Sequence, residues 1–382
     1  MEGTLTDGMT VLSRNAFETA AAADLSAARA AEALAAIPAR RFSDILTQFA
    51  PEKAGRERLV EGLCGNDPAR SRASMDKKVR GWLSGQYQPT GREDLLELCF
   101  VLGLSVEEAD AFLAAAGEEG LHWRNPRELT YAFALRHGMR YPEAAALYAR
   151  VRLAADPHGA GARESFTPLV RQEAAMLNTE EDLRRYLLDA GERLGVFHNR
   201  AYRQFLDFLA LLEKPRAAGG VEEEGFTIRR IVETYLDSRF PAGWDKKTLD
   251  KKRRSILAGW PDEVTLSHMK TGKADVNRKT LILLFLATDG GEEISDDWQE
   301  DVYWDELEDQ EDADADFRSS LLRLNRMLAD CGYRMLDPRS PFDWVVIYCL
   351  RVTGDPDAMA GLSERLSEML DVLFVRVPTE TE

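Results

Sequence analysis

Residues 74–117, SMDKKVRGWLSGQYQPTGREDLLELCFVLGLSVEEADAFLAAAG, decide how the chain is read. A short basic helix runs into Gly85, Pro89 breaks the chain, and a leucine-rich helix follows. Leu95, Leu98, Cys99 and Leu102 recur at i, i+3, i+4 and i+7, which places them on one apolar helical face. Gly103 stops that helix, because glycine enters the left-handed conformation of a helix end at little cost. Ser105 caps the next helix, and Glu107 and Glu108 fall in its first turn, where the helix dipole favours acid.

The order of Trp82-Leu83, Gly85, Pro89 and then a helix through Leu95, Leu96, Leu98 and Leu102, ending in Leu-Gly-Leu-Ser, resembles the phage-repressor-like (XRE-type) helix-turn-helix domain. The resemblance implies that the helix before Gly85 lies in the DNA major groove. Arg70, Arg72, Ser74, Lys77, Lys78 and Arg80 concentrate base- and phosphate-capable side chains at and just before a helix start. Carried over by position, Ser74, Lys77 and Lys78 are the base-reading candidates. Arg72, Gln86 and Arg92 are the phosphate candidates. The plainer reading of the same residues is a solvated basic face on a surface helix.

Outward from this stretch, the pattern returns. Ile228, Ile231, Val232 and Tyr235 answer Phe42, Ile45, Leu46 and Phe49 at an offset of 186. Leu281, Ile282 and Leu284 match Leu95, Leu96 and Leu98 at the same offset, and Met269–Gly272 answers Trp82–Gly85 at 187. Further on, Pro126, Glu128, Leu129, Phe133 and Leu135 answer Pro341, Asp343, Trp344, Tyr348 and Leu350 at a constant 215. The offsets 186 and 215 differ by the length of the acidic stretch 289–317. That stretch is therefore an insertion in the second copy of a duplicated unit.

The second copy departs from the first where DNA would be read. Its corresponding helix, around 261–270, opens with Asp262 and Glu263, which repel phosphate. Basic side chains stand on either side instead: Lys246, Lys247, Lys251, Lys252, Arg253 and Arg254 before it, and Lys273, Arg278 and Lys279 after it. Lys251, Lys252, Arg254, Lys273 and Arg278 are candidates for backbone contact.

A net charge of −17 argues at first against a nucleic-acid partner. The insert, however, holds fifteen acids and no Lys or Arg, so it carries nearly all of the excess. A locally basic face on the rest is compatible with the total. Trp298, Tyr303, Trp304 and Phe317 are unusual in a purely solvated acidic loop and favour docking to a protein partner or to the chain's own basic helix.

The chain of 382 residues is long enough for two or three domains. The reading is all-α: an N-terminal Ala-rich helix (1–40) that either packs on the body or pairs two copies as a homodimer; a first unit (41–138); a helical spacer (139–216); a linker (217–225); and a second unit (226–382). Cys64, Cys99, Cys331 and Cys349 form no CxxC pair, which points to a reducing, cytoplasmic setting. No apolar run is long enough to span a membrane. The five histidines show no metal-ligand spacing, and phosphate-cradling glycine loops, GxSxG and HExxH are absent from the sequence. Neither an enzyme nor a cofactor is expected. The expected activity is a DNA-binding transcriptional regulator acting through the first unit on double-stranded DNA. The alternative is a cytoplasmic adaptor or regulatory subunit that uses the same units to dock proteins. A continuous positive stripe over Arg72, Lys77, Lys78 and Arg92 would favour DNA; a stripe broken by acids would favour the adaptor.

Overall fold

A computed structural model describes residues 9–22, 25–39, 41–89, 91–116, 120–151, 167–195, 197–213, 217–218, 221–222, 226–236, 250–290, 313–351 and 361–374. In chain order the helices are α1 (Val11–Ala20), α2 (Ala27–Ala36), α3 (Phe42–Phe49), α4 (Glu52–Asn66), α5 (Arg72–Leu83), α6 (Arg92–Leu102), α7 (Val106–Ala115), α8 (Pro126–Arg136), α9 (Tyr141–Val151), α10 (Thr167–Ala175), α11 (Glu180–Asp189), α12 (Asn199–Glu213), α13 (Ile228–Ile231, continued by a π-helical turn, Val232–Leu236), α14 (Lys251–Leu257), α15 (Glu263–Lys270), α16 (Arg278–Ala287), α17 (Ala313–Asp330), α18 (Pro341–Leu350) and α19 (Leu362–Phe374). The protein is all-α. Among the described residues, the extended pairing is confined to Ala217–Ala218 against Val221–Glu222.

The chain forms two compact bodies. The first holds Arg40–Asn199 with Gly332–Arg334; the second holds Met1–Ala39, Arg200–Cys331 and Met335–Glu382. This division differs from the expected one. Among the described residues of 139–216, α9–α11 do not form a separate spacer. Ala144, Leu147, Val151, Val170, Leu183 and Leu187 of α9–α11 are buried in the same core as Trp82, Leu98 and Leu129. In the second body Tyr202 of α12 donates to the Lys270 carbonyl (3.1 Å), so α12 belongs there. The N-terminal segment is two helices rather than one, because Ser26 caps α2 by accepting from Arg29 N. These helices pack on the second body: Trp344 Nε1 donates to the Ala16 carbonyl (2.9 Å), and Ala16, Phe17, Ala20, Ala30 and Leu34 are buried.

In the first body, Phe42 meets Trp82 and Phe112 edge-on, with ring centroids 6.4 and 6.0 Å apart, and Leu46, Leu59, Leu98 and Leu113 fill the space around them. In the second, α16 and α18 are apolar on every side, from Leu281 to Ala287 and from Trp344 to Leu350, and are buried accordingly. Phe317, the last residue of the acidic insert, sits within α17 and is buried, 6.1 Å from Phe17. Residues 291–312 of the insert, with Trp298, Tyr303 and Trp304, lie outside the described residues.

The internal repeat is visible bond by bond. Gln86 N donates to Gly81 O (3.0 Å), and its counterpart in the second copy, Lys273 N, to His268 O (2.8 Å), around Gly85 and Gly272 at φ 70° and 67°. Leu104 N donates to Cys99 O, and its counterpart Gly290 N to Phe285 O. At this turn Asp289 (φ 47°) stands where the first copy has Gly103 (φ 67°). Beyond the insert, Leu121 N donates to Asp110 Oδ1 and its counterpart Leu336 N to Asn325 Oδ1.

One ion pair also repeats. Arg92 donates through Nε and Nη2 to the two oxygens of Glu128 (2.7 Å each), and Arg278 through Nη1 and Nη2 to Asp343 (2.8 and 3.0 Å). Each carboxylate takes one further backbone N–H, from His122 and from Asp337. A buried charge left without its partner costs about 3–5 kcal/mol. Asp343 is fully buried and Glu128 nearly so. Asp343→Ala is therefore expected to lower stability by about 3–5 kcal/mol in urea denaturation, and replacing both Arg278 and Asp343 with leucine to recover much of that loss.

Candidate nucleic-acid interface

α5 begins at Ser71, whose Oγ accepts from Ser74 N (3.2 Å). Val79 and Trp82 turn into the core, and the opposite face, with Ala73, Ser74, Lys77, Arg80 and Ser84, is exposed. Three contacts fix how this helix is presented. Before it, the buried carboxylate of Glu97 on α6 accepts from Arg70 Nη1 (2.6 Å) and Asn66 Nδ2 (3.0 Å), which pins the 67–71 turn. The bond to Glu97 raises the Arg70 pKa above its ordinary value. Alongside it, Arg56 Nε donates to Asp76 Oδ1 (2.9 Å) and ties α4 to α5. This bond, with the charges of Arg56, Arg80 and Arg72, holds Asp76 below the usual carboxylate range. After it, Tyr87 Oη donates to the Lys77 carbonyl (2.9 Å) while its ring lies against Gly81.

The sequence-predicted residues fall into two groups. Ser74, Lys77, Arg80 and Gln86 are exposed on or beside α5, as is Arg72, which lies 3.5 Å from Glu61. Arg80 shares Asp76 (3.1 Å) with Arg56. Lys78, half-buried, is paired with Asp94 (3.2 Å) and stands over the Trp82 ring. Arg92 faces inward: its guanidinium is committed to Glu128 and to the Gly120 carbonyl. The stripe over Arg72, Lys77, Lys78 and Arg92 is thus broken by Glu61, Asp94 and Glu128. Arg72, Lys77 and Arg80 stay exposed, with Glu61 beside Arg72 and Asp76 beside Arg80.

In the second body the corresponding surface is spent internally. α15 has eight residues against the twelve of α5, and its leading turn exposes Asp262, Glu263 and Val264. Its last residue, Lys270, pairs with Glu213 of α12 (2.6 Å). Lys252 donates to the carbonyls of Leu34 and Ile37 (2.9 and 2.6 Å), capping α2, and burial lowers its pKa. Arg278 is the buried partner of Asp343. Arg254 and Lys273 remain on the surface, while Lys246, Lys247 and the Lys251 side chain lie outside the described residues.

No protein-family model, curated protein or solved structure matches this chain.

Among the described residues, no group of His, Cys, Asp and Glu is arranged to hold a metal, and no helix is long and apolar enough to cross a membrane. Cys99, Cys331 and Cys349 are buried thiols, each pushed up to about 12 by that burial, which suits packing rather than nucleophilic chemistry.

Tyr87 is the residue that sequence reading missed. The available signal was a glycine inside a helix, Gly81, followed shortly by an aromatic ring that needs its missing Cβ. Gly81→Ala should therefore destabilise the first body by about 1–3 kcal/mol through overpacking. In a Tyr87→Ala background the same change should become neutral or stabilising, because alanine is the better helix former by up to about 1 kcal/mol. Thermal denaturation of the four variants measures both effects.

Proposed function

We propose that the protein is a DNA-binding transcriptional regulator of the phage-repressor-like helix-turn-helix kind, in which α5 of the first body enters the major groove. The observation that carries this reading is the solvent face of α5, which exposes Arg72 and Ser74 in its first turn, Lys77 at its middle and Arg80 in its last turn. Lysine and arginine neutralise phosphate, and short polar side chains near a helix N-terminus reach base edges. Exposed ion pairs such as Arg72–Glu61 are worth about 0–1 kcal/mol, so phosphate can displace the acid at small cost. The reading gives the base-facing role to Ser74, Lys77 and Arg80 and the phosphate role to Arg72 and Gln86. It leaves out Arg92 and Arg278, whose guanidinium groups hold the cores. The second body supports the first and contributes Arg254 and Lys273 at most.

A second reading, a protein-docking adaptor, is favoured by the broken stripe and by α15, where Val264 is exposed beside Asp262 and Glu263. The acidic insert would be the other docking element.

Fluorescence anisotropy on random-sequence duplex DNA separates the two. Affinity is expected to fall steeply between about 50 and 200 mM salt, with the salt slope shrinking by about 0.9 for each phosphate-neutralising side chain removed. The change Lys77→Ala with Arg80→Ala should weaken binding about tenfold or more, the loss expected for removing charge-assisted bonds of about 1.4 kcal/mol in total. Absence of binding at about 50 mM salt, or indifference to the double change, overturns the DNA reading in favour of docking.

A further inference from the structure

The first body contains a pocket of about 320 Å³, within the size range of small-molecule sites, lined by the end of α4, the end of α6 and the segment from α8 into α9. Three helices end at its wall: α4 through Gly65 and Asn66, α6 through Gly103, and α8 through Gly138. Helix C-termini carry partial negative charge from their aligned peptide dipoles, although Cys99 and Phe100 of α6 and Ala134 and Leu135 of α8 already accept from the amides that close those helices. Adding a Cβ at Gly65, Gly103 or Gly138 would meet nothing within 4 Å, so backbone, not side chain, forms this part of the wall. The rings of Phe100 and Tyr141, 5.7 Å apart, complete it, and aromatic faces attract cations. The nearest basic group, Arg140 at the rim, is neutralised by Glu143 (2.8 Å). The helix start next to it, that of α9, is likewise met by Glu143, whose carboxylate accepts from Arg140 N.

We propose that this cavity binds a small organic cation with an apolar or aromatic body, such as an arylalkylamine, and that its occupancy regulates α5. Three converging helix C-termini and two aromatic rings favour a positive charge and disfavour a carboxylate. The link to α5 is Asn66, which lines the cavity and donates to the same Glu97 oxygen as Arg70 of the 67–71 turn. A ligand held against Asn66 and Gly65 acts on the anchor that sets where α5 begins. The binding half of this proposal stands on the cavity alone; the regulatory half rests on the DNA reading.

The test uses the full chain and three probes of one shape and different charge: phenethylamine, 2-phenylethanol and phenylacetate. Amide NMR shifts of Gly65, Gly103 and Gly138 report binding without DNA. The amine is expected to bind about tenfold or more tighter than phenylacetate, with the alcohol between them. Gly65→Leu grows a side chain into the space and should abolish binding without lowering the melting temperature, since leucine favours a helix over glycine. Saturating amine should shift duplex affinity by about fivefold or more, the lower range of allosteric coupling. No glycine shift at about 10 mM amine, equal binding of phenylacetate, or undiminished binding by Gly65→Leu overturns the site. Amine binding with unchanged duplex affinity overturns the coupling. A chain that binds no duplex overturns the functional reading and the coupling, while the glycine amides still decide the cavity.

Discussion

The structure depends first on a buried arginine–carboxylate fork that occurs once in each body. Arg92 opens α6 and grips Glu128 in the first turn of α8; Arg278 opens α16 and grips Asp343 in the first turn of α18. Removing two such charges from water costs several kcal/mol per ion and is repaid only when the remaining lone pairs and protons are also bonded. Here they are. Arg92 also reaches the Gly120 carbonyl and Arg278 the Met335 carbonyl, while the carboxylates collect the amides of His122 and Asp337. One fork thereby fixes two helix starts and the arm between them, a task that non-directional apolar contact cannot perform.

What α5 presents follows from that anchor by a short physical chain. The fork holds α6, α6 carries Glu97, and Glu97 holds Arg70 and Asn66 in the turn ahead of α5. Arg56–Asp76 then sets α5 against α4, and Tyr87 closes the far end over Gly81. The second body uses the same fork and the same turn around Gly272, yet covers the equivalent helix end with Tyr202 and Glu213. A duplicated scaffold has therefore kept its core bonds and diverged on its surface.

Much of this was legible in the sequence, because glycine and capping signals act locally. Gly85, Gly103, Ser105 and Pro126 end or start helices where their backbone chemistry requires, and the offsets of 186, 187 and 215 recur as hydrogen bonds. Arg92 and Arg278 take roles other than the expected phosphate contacts, although the signal was present: a base and an acid, each retained in both copies, mark an internal pair better than a phosphate contact. The place of α1 and α2 was not legible. Alanine helices offer small, interchangeable faces, and the partners that hold them, Trp344 and Lys252, lie far along the chain.

The same energetic distinction bounds the candidate surface. Arg72 and Glu61 are both largely exposed, so breaking their contact costs little and solvent or phosphate replaces it. The Arg92–Glu128 fork cannot be exchanged in this way, since withdrawing the guanidinium would strand a buried carboxylate and release the arm that carries His122. Lys78 falls between them, its ammonium shared by Asp94 and the Trp82 ring at half exposure. A positive surface that can bind and release a polyanion must be assembled from groups whose internal contacts are cheap. On α5 the exposed groups are Arg72, Lys77 and Arg80, and the proposed reading draws on them because the contacts of Arg72 and Arg80 with Glu61 and Asp76 lie at the surface.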